Sequence, residues 1–120
     1  MNTNKFPSFP NSSALGRGIR VKLTAGVLAV AGAGDDELGV LPEAVLATDT
    51  MASVIPNGTP GVVEFVAAVS ITQYAQVFAA ASGKIGVTAT GLRRGIALEA
   101  ASGDGSIIKV LVQGGSGPAV

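Results

Sequence analysis

The sequence predicts an all-β protein, a small β-barrel or β-sandwich of short strands, and three observations carry that expectation. Apolar and polar residues alternate with the two-residue period of a strand, most clearly at Ile19, Val21 and Leu23 against Arg20 and Lys22. Glycine-rich turn signals punctuate such stretches at near-regular spacing. The chain also matches itself. Val21 to Val27, an acidic loop and Gly39-Val40-Leu41-Pro42-Glu43-Ala44 are echoed by Val77 to Lys84, a basic loop and Gly95-Ile96-Ala97-Leu98-Glu99-Ala100. Gly39 and Gly95, Glu43 and Glu99, and Ala44 and Ala100 share one offset of roughly 56 residues, longer than the common solenoid periods. A duplicated small β unit is therefore expected, with scaffold rather than chemistry as the repeated content.

Residues 1–17 read as an extended N-terminal arm, because Phe6-Pro7 and Phe9-Pro10 bias the residues before each proline toward extended backbone. The β domain is expected over 18–113. Its first strand covers Ile19 to Leu23, and Ala25-Gly26 turns the chain into a second, Val27 to Ala31, since glycine accepts the positive φ of a short hairpin turn. Gly32 to Glu37 is a loop by its glycines and charges. Leu38 to Val40 is extended, and Pro42 to Ala47 is expected to make one helical turn started by proline. Met51 to Ile55 is a strand stopped by Pro56-Asn57-Gly58-Thr59-Pro60, whose Asn-Gly pair is a strong turn signal.

The run from Val62 to Ile71 has one apolar face and one only partly polar face, which places it centrally or against a neighbouring subunit. Gln76 to Ala80, a Ser82-Gly83 turn and Lys84 to Thr88 repeat the hairpin. Gly95 to Ala101, the Gly103-Asp104-Gly105 turn and Ser106 to Val112 complete the domain. Residues 114–120 read as a flexible, glycine-rich tail.

With 120 residues the chain is long enough for one domain that buries about two-thirds of its unfolded surface. Hydrophobic residues make up 48% of it but aromatics only 4%, so the core is built from Val, Ile, Leu and Ala. Eight basic and eight acidic residues cancel, which removes the positive field that nonspecific nucleic-acid binding needs. No nucleic-acid partner is expected. The chain has no Cys and no His, so thiolate chemistry, disulfides and the commonest general base and metal ligand are all missing. The polar, proline-bearing start does not resemble a signal peptide, and the most apolar stretch, Gly61 to Ile71, is about half a membrane span. A soluble protein without a membrane partner is expected.

The candidate chemical motifs each have a plainer reading. Gly32-Ala33-Gly34 follows a strand as a phosphate loop would, but Asp35, Asp36 and Glu37 come next and would repel phosphate. Those carboxylates lack the spacing of a calcium loop. Ser82-Gly83-Lys84 offers a serine beside a lysine, yet Ser-Gly is the hairpin turn of the repeat. Glu43 and Glu99 match in position and could be read as a carboxylate pair for glycoside hydrolysis, but one Tyr and no Trp offer few sugar platforms, so a shared structural role such as accepting hydrogen bonds from a neighbouring turn is the expectation. No catalytic residue, metal or cofactor is assigned. The basic loop at Arg93-Arg94 lies opposite the acidic loop in the repeat, so head-to-tail contacts between subunits are one expectation, with scattered surface charge as the plainer one. Phe6 and Phe9 on the arm either pack on their own domain or dock in a partner.

Gly95 to Ser102, followed by Gly103-Asp104-Gly105 and the alternating strand Ile107 to Val112, resembles the C-terminal part of the small capsid decoration, or cement, proteins of tailed bacteriophages. The hairpin Val77 to Val87 and the segment Gly18 to Val40 are similar to that family as well, so the resemblance spans about Gly16 to Gly114. Pro42 departs from the form that the second copy keeps, and the arm matches no family motif. The resemblance implies a noncatalytic virion protein, made in the host cytoplasm, that binds the outer surface of an expanded icosahedral head. It would bridge capsomers of the major capsid protein and form homo-oligomers, trimers being favoured. Candidate capsid or subunit contacts are then Phe6, Phe9, Asp35, Asp36, Glu37, Arg93 and Arg94. A head-fibre or tail-associated β domain and a small-ligand-binding β-barrel are the alternatives.

Overall fold

A computed structural model describes residues 6–35, 37–89 and 91–112. The first residues of the expected arm (1–5), Asp36 and the expected tail (114–120) lie outside them. The described chain is all-β: β1 (Ser8–Pro10), β2 (Arg20–Thr24), β3 (Val27–Val30), β4 (Gly39–Val40), β5 (Met51–Ser53), β6 (Ile55–Pro56), β7 (Gly61–Val66), β8 (Gln76–Ala79), β9 (Ile85–Gly86), β10 (Arg93–Ala97) and β11 (Ile107–Val112).

The second half forms one antiparallel sheet in the order β7-β11-β10-β8-β9. The first half repeats that order in two pieces, β1-β5 and β6-β4-β2-β3, because the strand matching β11 is broken at Val54 into β5 and β6. The correspondence holds residue by residue at the offset seen in the sequence. Phe9 pairs with Ala52 as Phe65 pairs with Ile108, Arg20 with Val40 as Gln76 with Ile96, and Val40 with Ile55 as Ile96 with Leu111. The isolated bridge between Leu15 and Val45 recurs between Ile71 and Ala101. The duplication is structural.

Gly39 and Gly95 show why the match is legible at glycine. A Cβ on Gly39 would lie 2.0 Å from the Ile55 carbonyl oxygen, and one on Gly95 would lie 2.2 Å from that of Leu111. No side chain fits between strands so close. At the hairpins the register drifts: β2 pairs Lys22 with Ala29, whereas β8 pairs Phe78 with Gly86, one residue further on. The first hairpin turns through Ala25 and Gly26 at φ 52° and 81°, the pair of positive values a two-residue hairpin turn requires. The second takes a short 3-10 turn at Ala81–Gly83.

The core forms two clusters, one mainly from each copy, with Val40 and Ile55 of the first copy packed into the second. Leu15, Val21, Leu28, Leu41, Ala52 and Val54 fill the first, with Phe9 packed against it. Phe65, Ile85, Val77, Val110 and their neighbours fill the second. A fully buried side chain of this kind contributes roughly 1.5 to 3 kcal/mol.

The all-β expectation is met, and of its two forms the closed barrel is not the one observed: past β7, Ala67 makes an isolated bridge to Ile85 of β9. Two further expectations are corrected. Pro42 to Ala47 makes no helical turn, because Val45 exchanges backbone hydrogen bonds with Leu15 instead. Nor does the fold begin at residue 18, since the arm supplies β1 and its Phe9 holds the place that Phe65 holds in the second copy.

Candidate functional site

The charged residues that distinguish the two copies meet where the copies dock. Arg20 opens β2 and is fully buried, although strand alternation assigns it to the polar face. That face is covered by the second copy. The guanidinium donates from Nε to the Lys84 carbonyl at 2.9 Å, from Nη2 to the Ala80 and Ala31 carbonyls, and from Nη1 to Glu37 Oε1 at 2.7 Å. Lys84 and Ala80 belong to the second copy and Ala31 to the first. A single side chain therefore ties both.

Glu37 is shared. Its Oε2 lies 3.2 Å from Arg94 Nε, and the side chains of Glu37 and Arg94 are 1% and 4% exposed. Arg94 Nη1 donates to Asn57 Oδ1, and its guanidinium stands 5.1 Å from the centroid of the Phe65 ring. Two guanidinium groups thus face one carboxylate in a buried site. The excess cation is met by carbonyls, by the Asn57 amide oxygen and by the π-face of Phe65. Burial pulls Arg94 below its ordinary pKa, Glu37 opposes that shift and Arg20 adds to it.

Glu37 and Arg94 are therefore brought together inside one chain, and their buried side chains have no surface to offer a neighbouring subunit. The expectation of an acidic loop reaching a basic loop of the next subunit is corrected at these two residues: the loops meet within the chain. Matched positions make the pattern clear. Arg20 and Glu37 pair in the first copy, and at the same positions of the second Arg93 Nε donates to Gln76 Oε1 at 3.0 Å. The contact is kept while its donor and acceptor change sides.

The other candidates lie nearer the surface. Asp35 accepts from Lys22 Nζ at 2.9 Å and from the Gly32 N–H at 2.7 Å, and the Lys22 hydrogen bond holds its carboxyl below the usual carboxylate range. Phe6 and Phe9 are half-buried. Asp36 lies outside the described residues. Glu99 Oε2 accepts the Lys109 N–H at 2.8 Å, while Glu43 is exposed. Lys84 Nζ reaches Asp104 at 2.7 Å, away from any role beside Ser82.

No family model matches this chain, and no curated protein matches it. Among the described residues, no group of three or more His, Cys, Asp or Glu side chains is placed to hold a metal ion. No helix there is long and apolar enough to cross a membrane. Sequence reasoning missed Arg20 and Asn57. The signal for Arg20 is the repeat itself, which sets an arginine against Gln76 at otherwise equivalent strand positions.

Proposed function

We propose that this chain is a noncatalytic structural protein of a phage virion, one that binds the outside of an expanded icosahedral head and bridges its capsomers. The resemblance from about Gly16 to Gly114 carries the reading. In support, the positions the two copies share are close backbone approaches, bridges and core side chains, as suits a unit kept for its shape. A binding site made of several shell subunits exists only on the assembled shell, so occupancy stabilises that state by mass action. A homo-oligomer, trimeric by the same resemblance, adds avidity through the high effective concentration of its later contacts. Among the described candidate contacts, the side chains of Glu37 and Arg94 are buried, while Phe6, Phe9, Asp35 and Arg93 keep exposed surface.

Purified protein mixed with expanded, undecorated heads tests the proposal. Co-sedimentation and a raised rupture temperature are expected. Failure of both would sink it, and labelling of tails rather than heads in electron micrographs of virions would favour the tail-associated reading.

A further inference from the structure

One strand edge differs between the copies. In the second, β11 is bonded on both sides, to β7 and to β10, and beyond β10 the Leu98 N–H donates to the Lys109 carbonyl at 2.8 Å while Glu99 accepts the Lys109 N–H. The matched residues of the first copy are Pro42, Glu43 and Ser53. Pro42 has no N–H to donate. Among the described strands, β5 is bonded to β1 alone.

The register shows which backbone groups are left at that edge. Asn11 N–H bonds to Thr50 O and Val54 N–H to Pro7 O, so residues 50, 52 and 54 turn their main chain toward β1. By the antiparallel alternation, Met51 and Ser53 turn theirs the other way. They face a groove of about 530 Å³ lined by Phe6, Pro42, Glu43, Val45, Asp49 and Met51, among others. Its walls are mixed polar and apolar, with Met51 53% exposed, and its exposed charges are the carboxylates of Glu43 and of Asp49, whose Oδ2 also accepts the Leu46 N–H. Among the described residues, no basic side chain lines it. The second copy is the internal control, since there a segment of the chain's own backbone completes the same edge.

We propose that this slot takes an extended segment of a partner protein, which adds a strand to β5 through the main chain of Met51 and Ser53. A Lys or Arg of that segment lies against Glu43 and Asp49. The open edge supplies affinity through backbone hydrogen bonds, and the carboxylates select for a basic sequence. The inference stands on the repeat and does not depend on the capsid reading.

The test uses the full chain and the synthetic peptide acetyl-Val-Lys-Val-Lys-Val-amide, followed by amide NMR. Saturable shifts and slowed hydrogen exchange are expected at Met51 and Ser53. Methylating alternate peptide nitrogens, or the change Glu43→Gln, should each weaken binding about tenfold or more. Pro42→Leu, which restores the missing donor, should abolish binding while the amide spectrum stays folded. Absence of shifts at those amides, equal binding of the methylated peptide, or undiminished binding to Glu43→Gln would each overturn the proposal. Retained binding by a folded Pro42→Leu variant would do the same. Self-association that Pro42→Leu removes would give the slot to a second copy and overturn the assignment to a different protein.

Discussion

Tyr74 holds in the second copy the position of Gly18 in the first, in the same left-handed backbone: φ is 72° at Tyr74 and 80° at Gly18. Their N–H groups donate to matched carbonyls, Ala97 at 2.7 Å and Leu41 at 2.9 Å. Gly18 lies against the Phe65 backbone, where a Cβ would sit 3.4 Å away, whereas Tyr74 is 68% exposed. The position is glycine where the other copy packs on it and aromatic where it meets solvent.

Left-handed backbone costs a residue with a Cβ about 1 to 2 kcal/mol. Tyr74→Gly should therefore stabilise the fold by about 1 kcal/mol, seen as a higher urea midpoint at unchanged slope. Gly18→Ala should lower the midpoint by a similar amount, about 1 kcal/mol. A lower midpoint for Tyr74→Gly would refute the strain.

Gly39→Ala and Gly95→Ala each push a Cβ into a facing carbonyl, and neither strand pair can separate without losing its ladder. Each change should cost about 3 kcal/mol or more, at the upper end of single-site effects. Thermal unfolding checks this, and a loss under about 1 kcal/mol would show that the strands yield.

Removing the shared carboxylate leaves two buried guanidinium groups facing each other. Glu37→Ala should cost roughly 3 to 5 kcal/mol, the range for breaking a buried ion pair from one side. Asp104→Ala, which breaks the exposed pair with Lys84, should cost less than about 1 kcal/mol. Equal losses in urea melts of the two variants would contradict the burial argument.

Asp35 titrates below the usual carboxylate range because Lys22 and the Gly32 N–H favour its charged form. A depressed folded-state value means that its contribution to stability is present above the ordinary carboxylate range and is lost as pH falls through the depressed one. Lys22→Met should raise the Asp35 midpoint in an NMR titration. An unmoved midpoint would remove Lys22 as the cause.

Deletion of residues 1–13 takes away β1 and withdraws Phe9 from the first core. The truncated chain should unfold at lower temperature even before any partner is added. A melting temperature equal to that of the full chain would mean that β1 contributes little.

The strands of both hairpins and the Gly39/Gly95 match are legible in the sequence because each depends on local signals: alternation, turn residues and a glycine no larger residue can replace. The arm is not legible as a strand. Pro7 and Pro10 flank Phe9, and its kinship with Phe65 is a single aromatic match that becomes evident only when both are seen paired in register. Arg20 is misassigned for a different reason. Alternation places it opposite Val21 and so toward water, but periodicity cannot report that a second copy covers that face. The loop charges are likewise visible in sequence as opposites, while their meeting inside one chain is a tertiary fact. Pro42 is conspicuous as a departure from Leu98, yet its consequence, an edge of β5 that no described strand pairs, needs the ladder.

The reach of Arg20 has a bearing on autonomy. Its hydrogen bonds to Ala80 and Lys84 are carbonyl contacts across the junction, and its carboxylate partner also answers to Arg94 from the far side. A chain cut within residues 57–60 would give two fragments with related architecture, and neither would be a working half: one would expose a cation shaped for burial, the other a guanidinium bereft of its acid. The two copies are alike in backbone and complementary in charge, each completing the other as a subunit would.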